Sequence, residues 1–397
     1  MKSWVEISAS RLAANYRVLS ETAGSDVAVL AVVKADAYGH GAGLCAPVLA
    51  QAGARWLGVT DAAEGAAVRS ALAAAGIETE DQPHILVMSE GLPEDAEALA
   101  RHRLTPVVST VEQMRALARS SPVPLGVHLE IDTGMSRQGV VPEALGAVLH
   151  WLEEHRDVIR LEGVMTHFAS AEVAGSHQTL EQRRRFEEAM EQITKTSLRP
   201  EWIHAGNSSA IDNYVSDESL RWIAQVARSV GARAMVRSGL GLYGYCLPVE
   251  KEAGYAGRAD AQVRSRLLPV MTWKARVTGV REIEAGERIG YNGTFTAEHR
   301  MRLALVPVGY ADGLRRELSS TNVRVGGWVV LKGGRAPIVG RVSMNLTIVD
   351  VTSIADVAVG DEAIVLGEGV TADDHAQLAE TIPYEILCGV RVQRMLR

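Results

Sequence analysis

Short apolar runs recur along the first 250 or so residues, near Val27–Val33, Trp56–Thr60, His84–Ser89, Thr105–Ser109, Leu125–Ile131, Arg160–Thr166, Trp202–His204 and Ala232–Val236. Between most of them, as in Asp61–Ala75, Thr110–Arg119, Pro142–His155 and Glu181–Thr194, apolar positions return with the period of a helix that buries one face. Eight such strands alternating with helices over roughly 230 residues predict a (β/α)8 barrel, not a six-stranded doubly wound sheet. The fourth run, Thr105–Ser109, is the weakest. Ahead of the rhythm, Lys2–Ser8 alternates like a strand and Arg11–Thr22 is helical in spacing, with Ser10 placed to cap it.

The pattern changes after Tyr245. Lys251–Gln262 has the small, polar character of a connection, and beyond it helices nearly vanish. Met271–Ile283, Met301–Val308, Val323–Leu331, Ile338–Val351 and Asp361–Leu366 read as β-rich runs between glycine-rich turns, with one short helix near Asp373–Glu380. The chain is therefore expected to be an α/β protein, a TIM barrel over 9–250 followed by a mainly β domain over 251–397. No internal repeat or low-complexity tract interrupts it.

Composition narrows the partners. With 397 residues, 47% of them apolar and 22% charged, the chain can bury a large core. A net charge of −7 with scattered basic residues gives no footprint for nucleic acid, and the triplet Arg183-Arg184-Arg185 reads as a solvated helix face. No apolar run is long enough for a membrane span, and MKSWVEIS leads straight into folded-looking sequence. Cys45, Cys246 and Cys388, odd in number and far apart, fit a reducing compartment and show no metal-ligand spacing. The expectation is a soluble, cytoplasmic protein.

Barrel enzymes work at the carboxyl ends of their strands, and the unusual polar residues fall there. Lys34 ends the first strand, where partly apolar surroundings disfavour its ammonium form and leave an amine able to condense with an aldehyde. A lysine there can also simply reach out to solvent. Arg137 follows the fifth strand in LEIDTGMSRQG, His167 ends the sixth in GVMTHFAS, Asn207 and Ser208 follow the seventh, and Arg237 and Gly239 follow the eighth. Loops after the seventh and eighth strands of this fold often bind phosphate, and HAGNSSA and RSGLGLYG would offer Ser208 Oγ and the amides around Gly239 and Leu240. Tyr38, Gly39 and Gly41 add a hydroxyl and backbone amides close behind Lys34.

The run VVKADAYGHGA resembles the pyridoxal 5'-phosphate motif of the alanine racemase family, and separate motifs extend the resemblance over nearly the whole chain. It implies that Lys34 carries the cofactor covalently, with Tyr38, His167, Asn207, Ser208, Arg237, Gly239, Leu240 and Tyr384 around it. Arg237 would face the pyridine nitrogen; an arginine keeps its proton at ordinary pH, so the ring stays a weak electron sink, which favours racemisation over transamination. Two acid/base groups must flank the substrate Cα. The resemblance makes them Lys34 and Tyr291, in GERIGYNGTFTA, with Tyr291 supported by His167 and lent by the second chain of a homodimer with shared active sites. Arg137 and Met344, the latter in GRVSMNLTIVD, would meet the substrate carboxylate, and Tyr310, Arg316 and Arg341 would line the entrance. Residues 1–8 would join the β domain. The implied function is interconversion of L- and D-alanine, supplying D-alanine for peptidoglycan.

Two departures from the family pattern bear on the chemistry. Glu130 stands where many members have a lysine, commonly carbamylated, that buttresses the substrate-steering arginine; a glutamate could hold Arg137 unmodified. Asn345 stands where aspartate usually follows the methionine, which leaves open a serine or lysine racemase of broader range. Gln393 replaces a usual proline, with no functional consequence drawn. Other readings are a non-catalytic PLP-binding protein, which would need neither the β domain nor Tyr291 and Met344, an amino-acid decarboxylase of the same fold type, which would usually put an acid where Arg237 stands, and a metal-dependent barrel hydrolase using His40, His128, Glu130 and His167. The metal reading lacks a His-x-His on the first strand, and no metal is expected.

Overall fold

A computed structural model describes residues 1–120 and 124–397. The chain divides into two compact units, one of Leu12–Ala37 and Cys45–Leu268, the other of Met1–Arg11, Tyr38–Leu44 and Pro269–Arg397.

In the first unit eight parallel strands, Val27–Val32, Trp56–Val59, His84–Val87, Thr105–Val108, Leu125–Glu130, Ile159–Met165, Trp202–His204 and Arg233–Ser238, close into the barrel that the alternating pattern predicts. The eighth seals against the first, with Ala234 to Ser238 in register with Val27 to Ala31. Helices cover the outside and side chains fill the inside, so strands such as Leu30-Ala31-Val32 are buried on both faces and read as unbroken apolar runs. The fourth strand is faint in sequence because Pro106 stands within it, and each neighbour pairs with only two of its residues. The helix expected from Arg11 starts earlier, at Ala9. Its cap is Ser8, not Ser10: Ser8 Oγ accepts the Arg11 N–H at 3.3 Å.

The second unit is mainly β. A six-stranded sheet runs in the order Gly334–Pro337, Trp328–Leu331, Glu362–Leu366, Met271–Arg276, Ser3–Ile7, Arg394–Leu396. Ser3–Ile7 is antiparallel to Met271–Arg276 and parallel to Arg394–Leu396. A three-stranded sheet of Gly279–Ile283, Met301–Val306 and Thr347–Asp350 stands beside it in the same unit. Ile283, Ile289, Ala297, Met301, Leu303 and Val339 form a buried cluster there, with Phe295 and Ile348 packed against it.

Two expectations for this unit need correction. Val323 and Val325 are 98% and 86% exposed in a turn, and the strand begins only at Trp328. A second helix, Pro383–Cys388, follows the expected one, which spans Ala372–Leu378 behind a capping box of Thr371 and Asp374.

Candidate active site

The first barrel strand delivers Lys34 into an unusual turn. Lys34–Tyr38 is wound left-handed: Ala35, Asp36 and Ala37 have φ of 51, 53 and 55°, and Tyr38 has φ 53°. L-residues resist this conformation because Cβ crowds the next carbonyl, at a cost of about 1–2 kcal/mol per residue, so the surroundings must impose it. Glu64 does part of this. Its carboxylate accepts the N–H of Ala35 and the N–H of Thr60, both at 2.7 Å, and its own N–H is fixed at 2.8 Å on the helix-capping Asp61. Lys34 is left half-buried at the barrel rim.

Across the rim, the ends of the sixth, seventh and eighth strands converge on Arg237. Its guanidinium donates to the Thr166 carbonyl at 2.8 Å, to His167 Nδ1 at 3.0 Å and to His204 Nδ1 at 3.0 Å. All three acceptors are neutral, and among the described residues Arg237 has no ion pair. Burial brings its pKa down to about 10, the Glu130 charge resisting and Arg137 adding to the fall. Burial, with the cations Arg237, Arg137 and Lys34, pushes the His167 imidazole down to about 3, so it is a neutral acceptor at any working pH.

The seventh and eighth strand loops close over Ser208. Its Oγ accepts the N–H groups of Gly239 and Gly241 at 3.0 and 3.1 Å and lies 3.0 Å from Ser238 Oγ. A Cβ on Gly241 would lie 3.1 Å from Ser238 Oγ and 3.3 Å from Ser208 Oγ, so a side chain there would require these hydroxyls to give way by a few tenths of an ångström. Asn207 caps the turn that follows, its Oδ1 accepting the N–H of Ser209 and Ala210. Leu240 is buried beside them, whereas Arg137 is exposed.

The remaining candidates lie in the second unit. Tyr38 packs on Tyr384 with ring centroids 5.8 Å apart, and burial raises the Tyr38 phenol well above its ordinary range. Tyr291 is 67% exposed, on a turn between Gly290 (φ 71°) and Asn292 (φ 63°) that is held by pairing of Arg288–Ile289 with Phe295–Thr296. Met344 is 56% exposed.

Two family models match this chain, "Alanine racemase, N-terminal domain" over residues 7–247 and "Alanine racemase, C-terminal domain" over 270–396. The chain belongs to the alanine racemase family. Among relatives of this racemase, the alanine racemase of Halothermothrix orenii is 36% identical over 396 residues, covering 98% of this chain and 94% of that one. The solved alanine racemase of Streptomyces coelicolor superimposes with a TM-score of 0.85 at 32% identity, over 100% of this chain and 98% of that one. That of Bartonella henselae, solved with covalently bound pyridoxal phosphate, gives 0.80 at 25% identity over 100% of both chains. The racemase is thus an isomerase built on the TIM barrel and β domain of its family.

Within the racemase, Glu130 makes no hydrogen bond or ion pair to Arg137 among the described residues, though the Arg137 and Arg237 charges both favour its carboxylate form. Its carboxylate, raised in pKa by burial, takes a short hydrogen bond from Gln138 Nε2, which also donates to the Met88 carbonyl at 2.8 Å. The histidines offered as metal ligands are engaged elsewhere, His167 with Arg237, His128 with His204 and His40 with the Tyr38 carbonyl, and the described residues contain no group arranged to hold a metal. Sequence reasoning missed His204, Ser238 and Glu64. The first two stand in motifs already singled out, but their partners lie about 30 residues away and no local signal marks them.

Proposed function

We propose that this racemase interconverts L- and D-alanine with pyridoxal 5'-phosphate held through Lys34 Nζ, using Lys34 and Tyr291 as its two acid/base groups in a homodimer that shares its active sites. The observation that carries the reading is the donor set at the barrel rim. An amine, a buried guanidinium with only neutral acceptors and a glycine-rich loop around Ser208 suit an aldehyde, a ring nitrogen and a phosphate respectively. The residues therefore fit the cofactor. Asn207, Ser208, Gly239 and Leu240 would hold its phosphate together with Tyr38 and Tyr384, and Arg237 would face its ring nitrogen.

The cofactor, when bound, supplies an electron-withdrawing system that acidifies the substrate Cα–H. Everything else falls to the chain. Arg237 keeps its proton, so an acceptor atom opposite it stays unprotonated. Lys34 Nζ takes or returns the Cα proton on one face. Tyr291 Oη, from a second copy of the chain, does the same on the other, with His167 Nδ1 anchored to Arg237 behind it. Arg137, exposed at the rim, offers its fork of donors to the substrate carboxylate, and Met344 of the second copy meets that carboxylate with its backbone amide. The exposure of Tyr291, Tyr310, Met344 and Leu346 in one unit supports a partner that covers them. D-alanine for peptidoglycan in the cytoplasm is the destination we infer.

The test is loss of optical rotation from L-alanine, L-serine and L-lysine with solvent deuterium entering Cα. Lys34→Ala should abolish turnover, and Tyr291→Phe should leave proton exchange on one face only. Symmetric exchange in Tyr291→Phe would end the two-base assignment, and full activity in diluted monomer would end the shared site.

A further inference from the structure

Behind Arg237 the barrel interior holds a line of imidazoles. His204 accepts from Arg237 Nη1 at Nδ1, 3.0 Å, and its Nε2 lies 2.8 Å from His128 Nδ1. Both rings are wholly buried. Among the described residues His128 Nε2 has no hydrogen-bond partner, and its ring faces Trp56 at 5.2 Å and 51°.

The proton positions follow from what each group can do. Arginine only donates, so His204 Nδ1 is a lone pair and its single proton sits on Nε2. That proton points at His128 Nδ1, which must accept, so the His128 proton is on the unpartnered Nε2. The order of donors runs one way, from the guanidinium into the barrel.

The backbone is shaped for this line. Pairing between the fifth and sixth strands slips by one residue, from Val127 opposite Leu161 to His128 opposite Gly163, so Glu162 bulges out. A bulge re-aims the side chains beside it, and a Cβ on Gly163 would lie 2.6 Å from His128 Nδ1. Slip and glycine together make the seat for one imidazole, His128, whose hydrogen bond toward the rim runs through His204.

We propose that His204 and His128 are positioning residues that lock Arg237 as an obligatory donor, His204 by accepting from it and His128 by fixing the His204 tautomer. The alternative tautomer of His204 would turn an N–H toward the guanidinium and push it off His167 and the Thr166 carbonyl. Among the described residues, the charges bearing on His128 are Arg237, Arg160 and His84, those bearing on His204 are His128 and Arg237, and all of them oppose protonation of the pair.

This rests on the reading of Arg237 given above, so the experiment has one arm independent of it. In protein labelled with 15N-histidine, both rings should show an Nε2–H tautomer unchanged from pH 5 to 9. A protonated ring, or an Nδ1–H tautomer in either, would overturn the proposal whether or not the protein racemises alanine. In the holoenzyme, His204→Asn keeps an acceptor at the Nδ1 position and His204→Leu removes it. His204→Leu should lower kcat about tenfold or more with KM within twofold and shift the absorption maximum of the bound cofactor, and His204→Asn should restore most of both. A wild-type spectrum and kcat in His204→Leu, or equal impairment of the two variants, would also overturn it. A wild type that neither binds the cofactor nor racemises would remove the functional reading and leave the tautomer arm to decide.

Discussion

Glu64→Gln tests whether the left-handed turn after the first barrel strand is imposed from outside. Four successive residues with positive φ, Ala35 to Tyr38, carry about 4–8 kcal/mol of conformational strain at roughly 1–2 kcal/mol each. Against it stand two hydrogen bonds from backbone N–H groups to one carboxylate, each contributing about 1.5–3 kcal/mol as a bond to a charged acceptor. A glutamine keeps one acceptor oxygen and turns its NH2 toward the other N–H, so about 2–3 kcal/mol of restraint is lost. Relaxation of the turn would return part of that as relieved strain, so the fall in stability should be small. With an unfolding entropy of about 2.1 cal/mol/K per residue over 397 residues, 3 kcal/mol corresponds to roughly 4 °C in Tm, an upper bound. The larger effect should fall on Lys34, whose backbone is next to the turn. A displacement that costs about 1.4 kcal/mol weakens cofactor binding tenfold. Binding is read by titrating apoenzyme with pyridoxal phosphate and trapping with borohydride. A variant with affinity within twofold of wild type and an unchanged Tm would refute the idea that Glu64 maintains the turn.

Gly39→Ala should be severe, since φ there is +79° and the new Cβ would lie 2.2 Å from the Leu387 carbonyl oxygen; a loss of about 2–4 kcal/mol is expected from strain and overpacking, seen as a lower denaturant midpoint. Glu130→Gln, by contrast, keeps an acceptor for Gln138 and breaks no ion pair with Arg137, so KM should stay within about twofold; a large rise in KM would reinstate Glu130 as the support of Arg137. Acid should weaken the fold through its buried histidines. His128 and His167 are pushed down to about 3, His375 to about 4 and His204 well below its ordinary value, burial being the first cause in each. The unfolded chain then binds more protons than the native one from about pH 4 to about 6.5, so stability is intact above 6.5 and falls as pH drops through that window, by about 1.4 kcal/mol per pH unit for each such histidine. Unfolding free energy flat across pH 4–6.5 would contradict the neutral, buried assignment.

The barrel was legible because its strands are covered on both faces, so burial itself writes the continuous apolar runs seen at Val27–Val32 and Trp56–Val59. Where a strand depends on pairing more than on burial the signal faded, as with Pro106 in the fourth. Val323 and Val325 misled for the opposite reason, being β-branched residues in an exposed turn. Pro383–Cys388 is six residues long, too short for a periodicity to show. In the site, Lys34, Ser208 and Arg237 stand in motifs that local sequence exposes. The handedness of the turn does not show there, because Ala35-Asp36-Ala37-Tyr38 contains no glycine to announce positive φ. Nor does the partnership of Arg237 with His204, which closure of the barrel alone creates.

The strand at Ser3–Ile7 finds its two partners only at Met271–Arg276 and Arg394–Leu396. At a synthesis rate of about 5–20 residues per second, a nascent Trp4-Val5-Glu6-Ile7 waits roughly 13–54 s for even the earlier of them to be made. Throughout that interval the strand's backbone lacks both partners it has in the fold, and whatever shields its apolar, pairing-prone residues during translation bears on the yield of folded enzyme.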